Sequence, residues 1–293
     1  MRRSPSVLPL AGLLPLLAVA CTGVAGEGDA GPDADVPTRV SATLFVEQVF
    51  DGAQHPAQVG ARFLRIAGVR DEALPELVGV PAAPVALGCT ERGARALDGM
   101  DPSQAEVRLL DVGPIDVASA QTTRMTPRRF PDLWNVVSGS FYGAEGDAAS
   151  GAYRFTGVGA VAANVGSFDV QGVAPDVPSQ VRVGDVALPL QAGGTFTLPR
   201  HGGLTVRWQR PAASDEADRV TVVFEGASTV VCAARDEGSV DIDPATMDGV
   251  REILRRGGSV SVHRLRSRGF TAQGVDAGAL VFDLSVRGRV RGE

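Results

Sequence analysis

Four acidic residues fall within the eight positions of the stretch DEGSVDID, residues 236–243. Asp236, Asp241 and Asp243 offer the hard oxygen ligands that Ca²⁺ prefers, so they are candidate metal ligands. The spacing is not that of an EF-hand loop, because Pro244 follows Asp243 where a further ligand and a glycine are required. The alternative assigns Asp236, Glu237 and Gly238 to a turn and Asp243 to a helix cap. We favour this alternative and expect no bound metal.

The three histidines lie in different settings, which bears on any Ser-His-Asp site. His55 precedes a proline in a loop, and His201 begins an HGG turn. His263 shares its alternation phase with Ser259 and Ser261, on the polar face of a predicted strand. The chain contains no G-x-S-x-G elbow and no H-E-x-x-H pair. A Ser-His-Asp site could assemble in space, but the sequence shows none, so we expect no catalytic residues.

Cofactor chemistry has little support in the sequence. The run GVGAVA, with Gly157 and Gly159, imitates the start of a dinucleotide fingerprint, but it lacks the third glycine and no helix is predicted after it. We interpret it as a glycine-rich strand or bulge and expect no cofactor. All 28 basic residues are arginine, so no lysine is present to form a Schiff base.

The two tryptophans suggest opposite roles. Trp208 alternates in phase with Leu204 and Val206 in LTVRW, which predicts a place in the core. Trp134, in RRFPDLWNVV, follows two arginines and is a weak candidate for binding a glycan or a lipid headgroup. Packing of Trp134 beneath a loop is the interpretation that we favour.

The N-terminal segment indicates export. Arg2 and Arg3 precede an uncharged apolar run over residues 7–20, which is too short to span a bilayer. The sequence LAVAC resembles a bacterial lipobox, in which Cys21 would be acylated and become the new N-terminus. AVA, residues 18–20, is also an A-x-A site for ordinary secretion, so a secreted or periplasmic protein is the alternative.

The residues after Cys21 support the lipid anchor. Residues 22–38 are rich in Gly, Pro and acid and have almost nothing to bury, as expected of a flexible tether. Thr22 stands where an Asp would signal inner-membrane retention in the lipoproteins that this segment resembles, so the outer membrane is favoured. We therefore predict a signal peptide over 1–20, a tether over 21–38 and a folded body over 39–293.

Charge and cysteine content indicate which partners and which compartment the protein has. The precursor carries a formal charge of −6, and loss of Arg2 and Arg3 would make it more negative, which argues against a nucleic-acid partner. Cys89 and Cys232 remain once Cys21 is lipidated, and two cysteines in an oxidising compartment usually form a disulfide. In STVVCAARD, Cys232 alternates in phase with Val230 and would point inward from a strand.

Strand patterns dominate the body. Residues 204–208 and the run Val220, Val222 and Phe224 alternate apolar with polar positions, and Gly184-Asp185 suits a two-residue hairpin turn. Short strands separated by Gly and Pro predict an all-β fold, an antiparallel β-sandwich of Ig-like or jelly-roll-like type. One domain is predicted over residues 39–293. The alternative divides it into an N-terminal β subdomain, 39–110, packed on 111–293.

One short crossover helix is predicted at DPATMDGVREILRRGG. Asp243 is placed as its N-cap, with Pro244 at the first helical position and Gly257 just beyond the end. An apolar face at helical spacing is formed by Met247, Val250 and Leu254.

The succession GGLTVRWQRP, DRVTVVFEG and VVCAARDEGSVDIDPATM resembles predicted lipoproteins of unknown function that are abundant in myxobacteria. In these, a Trp-bearing strand precedes a short strand, a cysteine, an acid-Gly turn and a helix opened by Asp-Pro. The resemblance covers about residues 80–293 and consists of strands and turns. It implies a lipidated envelope β protein and carries over no catalytic residue.

Together these observations predict a non-enzymatic cell-envelope lipoprotein whose β-sandwich acts as a binding or scaffold module. The lipid on Cys21 would attach it to the membrane, and the sequence names no protein or glycan partner. Two alternatives stay open: a calcium- or glycan-dependent adhesion module, and a hydrolase with an unrecognised site. A cleft that gathers histidine and acids would favour the hydrolase.

Overall fold

The structure, a computed structural model, describes residues 38–52, 57–81, 86–92, 101, 103–133, 136–146, 151–191, 193–211, 215 and 218–292. The predicted signal peptide and the tether up to residue 37, with Cys21, lie outside this range, as do His55 and Trp134. None of the helices among the described residues has the length and apolar character needed to cross a membrane.

Nineteen strands form within the described residues, together with two α-helices. The strands of the first half are β1 (Arg39–Phe50), β2 (Ala57–Ala67), β3 (Gly88–Arg92), β4 (Glu106–Leu109), β5 (Ile115–Ala118), β6 (Thr122–Met125), β7 (Arg128–Arg129), β8 (Val137–Gly146) and β9 (Ala152–Gly157). Those of the second half are β10 (Phe168–Val173), β11 (Ser179–Val183), β12 (Val186–Ala187), β13 (Thr195–Phe196), β14 (Leu204–Gln209), β15 (Arg219–Glu225), β16 (Thr229–Arg235), β17 (Ser239–Ile242), β18 (Gly258–Phe270) and β19 (Ala277–Val290).

One long sheet runs through the body in the order β3-β16-β15-β18-β19-β1-β2-β4-β8-β7, with β13 also pairing with β19. Two four-stranded sheets accompany it, which we call the first small sheet (β10-β9-β5-β6) and the second small sheet (β12-β11-β14-β17). The all-β sandwich prediction is confirmed in this form: one long sheet takes part in two sandwiches.

Two hydrophobic cores lie on the same face of the long sheet. Leu44 of β1 and Phe282 of β19 pack with Phe155 of the first small sheet. Further along β19, Val286 packs with Val206 of the second small sheet. Because Phe282 and Val286 are four positions apart on one strand, an even offset, they face the same side. We call this side the inner face and the opposite side the outer face.

The predicted alternation and turn chemistry are confirmed in the second small sheet. Leu204, Val206 and Trp208 of β14 are buried while Arg207 is exposed, so Trp208 belongs to the core. Gly184 adopts a φ of 59° in the two-residue turn between β11 and β12. A left-handed conformation of this kind is the reason that the turn takes glycine.

Three strand pairs are parallel, which the sequence prediction of an antiparallel sandwich did not include: β1–β19, β4–β8 and β13–β19. The other pairs are antiparallel, and β18 and β19 form a long hairpin in register from Gly258↔Val290 to Phe270↔Gly278. Strand β1 joins the free side of β19 from far away in sequence. No local turn sets its direction, so alternation alone could not predict it.

The predicted helix is α2 (Pro244–Leu254), with Asp243 as its N-cap accepting a 2.9 Å hydrogen bond from the Thr246 N–H. Its face of Met247, Val250 and Leu254 is buried, as predicted. A second helix, α1 (Leu74–Val78), was not predicted and packs on the outer face of β2. Its signal in the sequence is Pro75 in the first turn and Gly79 at a left-handed C-cap.

The predicted disulfide joins Cys89 to Cys232 across 143 residues. The two cysteines are register partners on β3 and β16, so the bond fixes the edge strand of the long sheet to its neighbour. Cys232 is buried against the second core, as its alternation phase predicted. The division of the body at residue 110 stays a prediction.

Candidate functional site

The three acids proposed as metal ligands lie at separate places, each with a protein partner. Asp236 is buried and accepts a 2.6 Å hydrogen bond from Trp208 Nε1. Asp241 accepts from Thr205 Oγ1 at 2.5 Å, and Asp243 caps α2. Within the described ranges no group of three or more His, Cys, Asp or Glu side chains is arranged to hold a metal ion.

Two arginines on the inner face of β18 are fully engaged in buried ion pairs. Arg264 donates from Nε to Asp236 at 2.7 Å and also binds the Asp176 and Gln209 carbonyls. Arg266 donates to both carboxylate oxygens of Asp218, each at 2.7 Å, and to a further carbonyl. These pairs belong to the architecture of the body, because each buried guanidinium is held both by its carboxylate and by backbone carbonyls.

The outer face of the same strands holds a Ser-His-Asp network that the sequence did not predict. Ser261 Oγ lies 2.8 Å from His263 Nε2, and His263 Nδ1 lies 2.7 Å from Asp283 Oδ1. Ser261 and His263 alternate on β18, and the hairpin register places Leu265 opposite Asp283. This brings the carboxylate diagonally beside the imidazole, in the order of hydrogen bonds that serine hydrolases use.

The only sequence signal of this network is that His263 and Ser261 share a strand face. Asp283 is 20 residues further on, and its position depends on the length and register of the β18–β19 hairpin. A shift of register by one residue would have placed Asp283 on the inner face instead.

The network is closed to a substrate. Ser261 has no exposed surface, and both ring nitrogens of His263 are occupied by protein partners. Strand β18 is paired with β15 on one side and with β19 on the other, so its amide groups serve the sheet. An acyl-transfer site needs a reachable nucleophile and free N–H donors for the oxyanion, and the geometry at Ser261 provides neither.

Electrostatics couple this network to Glu47, the register partner of Asp283 on β1. Burial and the neighbouring Asp283 charge raise the pKa of Glu47 to about 7. Burial lowers the pKa of His263, but the Asp283 charge and hydrogen bond outweigh it, so the pKa ends above its ordinary value. Glu47 therefore exchanges its proton close to neutral pH, and His263 holds its proton more strongly than an ordinary histidine.

A neighbouring cation is held by carbonyls and aromatic rings. Arg62 donates to the carbonyl oxygens of Tyr142 at 2.6 Å and Val78 at 3.1 Å, and its guanidinium lies 4.9 Å from the Phe141 ring centre. Burial lowers the pKa of Arg62 to about 10, and the attraction of Glu47 works against that shift. Its role is structural, because it links β2 to α1 and β8.

Beside His263 and Asp283 is a groove of about 240 Å³ whose lining includes Val223, Val231 and Leu265. Ser261 does not line this groove. A small molecule in it would therefore touch the imidazole and carboxylate but would not reach the hydroxyl.

A larger cleft of about 770 Å³ lies where α2 ends and β18 begins. We call it the arginine cleft, because Arg256, Arg287 and Arg289 line it, together with the acids Asp51 and Glu225. No residue of this cleft was a site candidate from the sequence, although the surplus of arginine over acids from residue 251 onward is a signal for it.

No family model and no curated protein matches this chain. Among solved structures, a two-domain fibronectin type-III segment of chicken tenascin is 12% identical, over 81% of this chain and 96% of that one, with a TM-score of 0.21. A score this low does not establish a common fold, so the sandwich architecture is taken from the sheets and cores of the chain itself.

Proposed function

We propose that this protein is a non-enzymatic cell-envelope lipoprotein whose β-sandwich body acts as a binding or scaffold module. The observation that carries the non-enzymatic part is the closure of the Ser261–His263–Asp283 network, which is the arrangement nearest to catalytic chemistry among the described residues. Its hydroxyl is sealed while the arginine cleft is open, so the described residues offer a place to bind and no serine nucleophile within reach of a substrate.

The envelope location is supported by the N-terminal sequence and by the cysteines. LAVAC and the acidic, Gly-rich segment after it are typical of an acylated Cys21 followed by a tether. The Cys89–Cys232 disulfide agrees with a compartment outside the cytoplasm, where such bonds persist. Thr22 favours the outer membrane over the inner one.

Anchoring is tested by the mass of the mature protein and its partitioning into detergent. The expected result is a chain that begins at an acylated Cys21 and enters the detergent phase. The matched variant Cys21→Ser should lose both properties. A water-soluble mature protein that starts at another residue would end the lipoprotein proposal.

A hydrolase is the second candidate, because the hydrogen-bond order of Ser261, His263 and Asp283 matches that of a catalytic triad. A fluorophosphonate probe reacts with an activated serine, so it separates the two candidates. We expect no labelling of the native protein. Labelling that disappears in Ser261→Ala but persists in Ser259→Ala would replace the binding module by a hydrolase.

A further inference from the structure

The arginine cleft draws its basic side chains from two parts of the fold. Arg287 and Arg289 are two positions apart on β19 and so point to the same side of the sheet. Arg256 comes from the turn that follows α2. A volume of about 770 Å³ lies within the range of small-molecule sites.

These arginines differ from the others on the same hairpin in how their donors are used. Arg264, Arg266 and Arg268 each have a carboxylate within 3.0 Å. Arg287 approaches Glu225 only to 3.7 Å, and its Nε is buried without a hydrogen-bond acceptor. Arg256 and Arg289 have no ion pair or side-chain hydrogen bond with any part of the chain that the structure describes.

The charge balance in the cleft favours an anion. Three guanidinium groups face two carboxylates, Asp51 and Glu225. Glu225 is already engaged, since Ser259 Oγ donates to it at 2.8 Å. Arg256 also offsets the partial negative charge at the carboxyl end of α2, which would otherwise repel an anion.

Glycines in the cleft are explained by packing and add nothing to the case for a ligand. A Cβ on Gly226 would lie 2.1 Å from the Ile253 carbonyl oxygen, and one on Gly258 would lie 2.0 Å from that of Glu225. These positions take glycine because the backbones approach one another closely.

We propose that the arginine cleft binds a phosphomonoester through Arg256, Arg287 and Arg289. Planar guanidinium groups match phosphate oxygens in paired hydrogen bonds, and the surplus positive charge of the cleft attracts a phosphate anion. The volume leaves room for an attached group as large as a sugar. This proposal rests on the proposed function of a binding module, and it names the chemical class of the ligand. The same chemistry is present in a free sugar phosphate and in a phosphorylated lipid headgroup.

Calorimetric titration of the full-length protein in detergent with glucose 6-phosphate, with glucose as the neutral control, tests the site. The phosphate ester should bind, with an affinity that falls as salt is added, and glucose should not. The double variant R287A/R289A should weaken binding ~10-fold or more. The matched control is R108A, an exposed arginine on β4 that does not line the cleft.

The lack of glucose 6-phosphate binding at ~10 mM would overturn the proposal, as would equal affinity in the double variant and the parent. Binding to phosphatidylcholine vesicles with and without phosphatidic acid distinguishes a lipid headgroup from a free sugar phosphate. The vesicle experiment uses the Cys21→Ser protein, which lacks the lipid anchor. Vesicle binding that needs phosphatidic acid and the two arginines assigns the lipid headgroup; binding of the sugar ester alone assigns the free ligand. If the protein is anchored but does not bind the phosphate ester, only the proposed site is refuted. If it binds the phosphate ester but is not anchored, only the lipoprotein proposal is refuted.

Discussion

Two groups of arginines in the last third of the chain show opposite uses of the same side chain. Arg264 and Arg266 are buried on the inner face of β18 and meet carboxylates at 2.7 Å. Arg287 and Arg289, on the neighbouring strand β19, line an open cleft without a close carboxylate. The first group holds the body together, and the second meets a carboxylate no nearer than 3.7 Å and lines a cleft open to a ligand.

The buried arginines link the first small sheet to the long sheet. Arg266 binds the carbonyl of Val173, the last residue of β10 in the first small sheet, and Arg264 binds the carbonyl of Asp176, three residues further on. Their carboxylate partners, Asp236 and Asp218, flank β16 and β15 of the long sheet. Burying a charge is tolerated only where such partners surround it, so these arginines depend on the completed tertiary structure.

Removing one member of a buried pair should have the largest effect. Arg264→Ala leaves the Asp236 carboxylate buried without its cation, and we expect a loss of about 3–5 kcal/mol in the free energy of unfolding. Urea unfolding measures it. A midpoint within error of the parent would show that the inner-face arginines are as dispensable as those of the cleft.

Groups on the outer face should make the free energy of unfolding depend on pH, which neither group of arginines does. The folded protein holds a proton on Glu47 up to about pH 7, while an unfolded glutamate releases it near pH 4.5. The stability gained from that proton is complete below pH 4.5 and is lost as the pH rises toward 7. The raised pKa of His263 acts in the same direction, with a loss that begins above about pH 6.5.

Glu47→Gln should therefore become more stable than the parent as the pH increases, by on the order of 2 kcal/mol at pH 7.5. Urea midpoints of both proteins between pH 5 and 8 provide the measurement, with Glu106→Gln, at an exposed glutamate on β4, as the matched control. A difference between variant and parent that is constant over this range would contradict the raised pKa of Glu47.

A smaller effect is expected when Asp236 keeps its arginine but loses its other donor. Trp208→Phe retains the aromatic packing of β14 and removes the indole N–H, which binds Asp236 at 2.6 Å. We expect a loss of about 1–2 kcal/mol, since one charge-assisted hydrogen bond is removed. A urea midpoint that falls as far as that of Arg264→Ala would show that the indole N–H contributes as much as the guanidinium to holding Asp236.

Least change is expected at the cleft. Arg289 is exposed and has no partner among the described residues, so Arg289→Ala should alter the free energy of unfolding by less than about 0.5 kcal/mol. Thermal and urea unfolding without phosphate are the measurements. A loss of more than about 1 kcal/mol would assign Arg289 to the stability of the body and remove the contrast with Arg264.

Local patterns predicted much of the fold. The alternation of β14, the Gly184-Asp185 hairpin and the cap and apolar face of α2 each depend on neighbours within a few residues, and each is confirmed. The short helix α1 escaped prediction because five residues carry little periodic signal. The parallel pairing of β1 with β19 escaped because strands distant in sequence lack a turn that sets direction.

The sequence by itself determined which residues can be buried, where the chain turns and which cysteines are available to pair, because these properties reside in single side chains and their near neighbours. Only the tertiary structure decided which charges meet. Asp283 reaches His263 through the register of a hairpin, and Arg264 reaches Asp236 across strand β15. The same arginine is a closed structural element on β18 and an open donor on β19, because its surroundings come from strands that local sequence does not place.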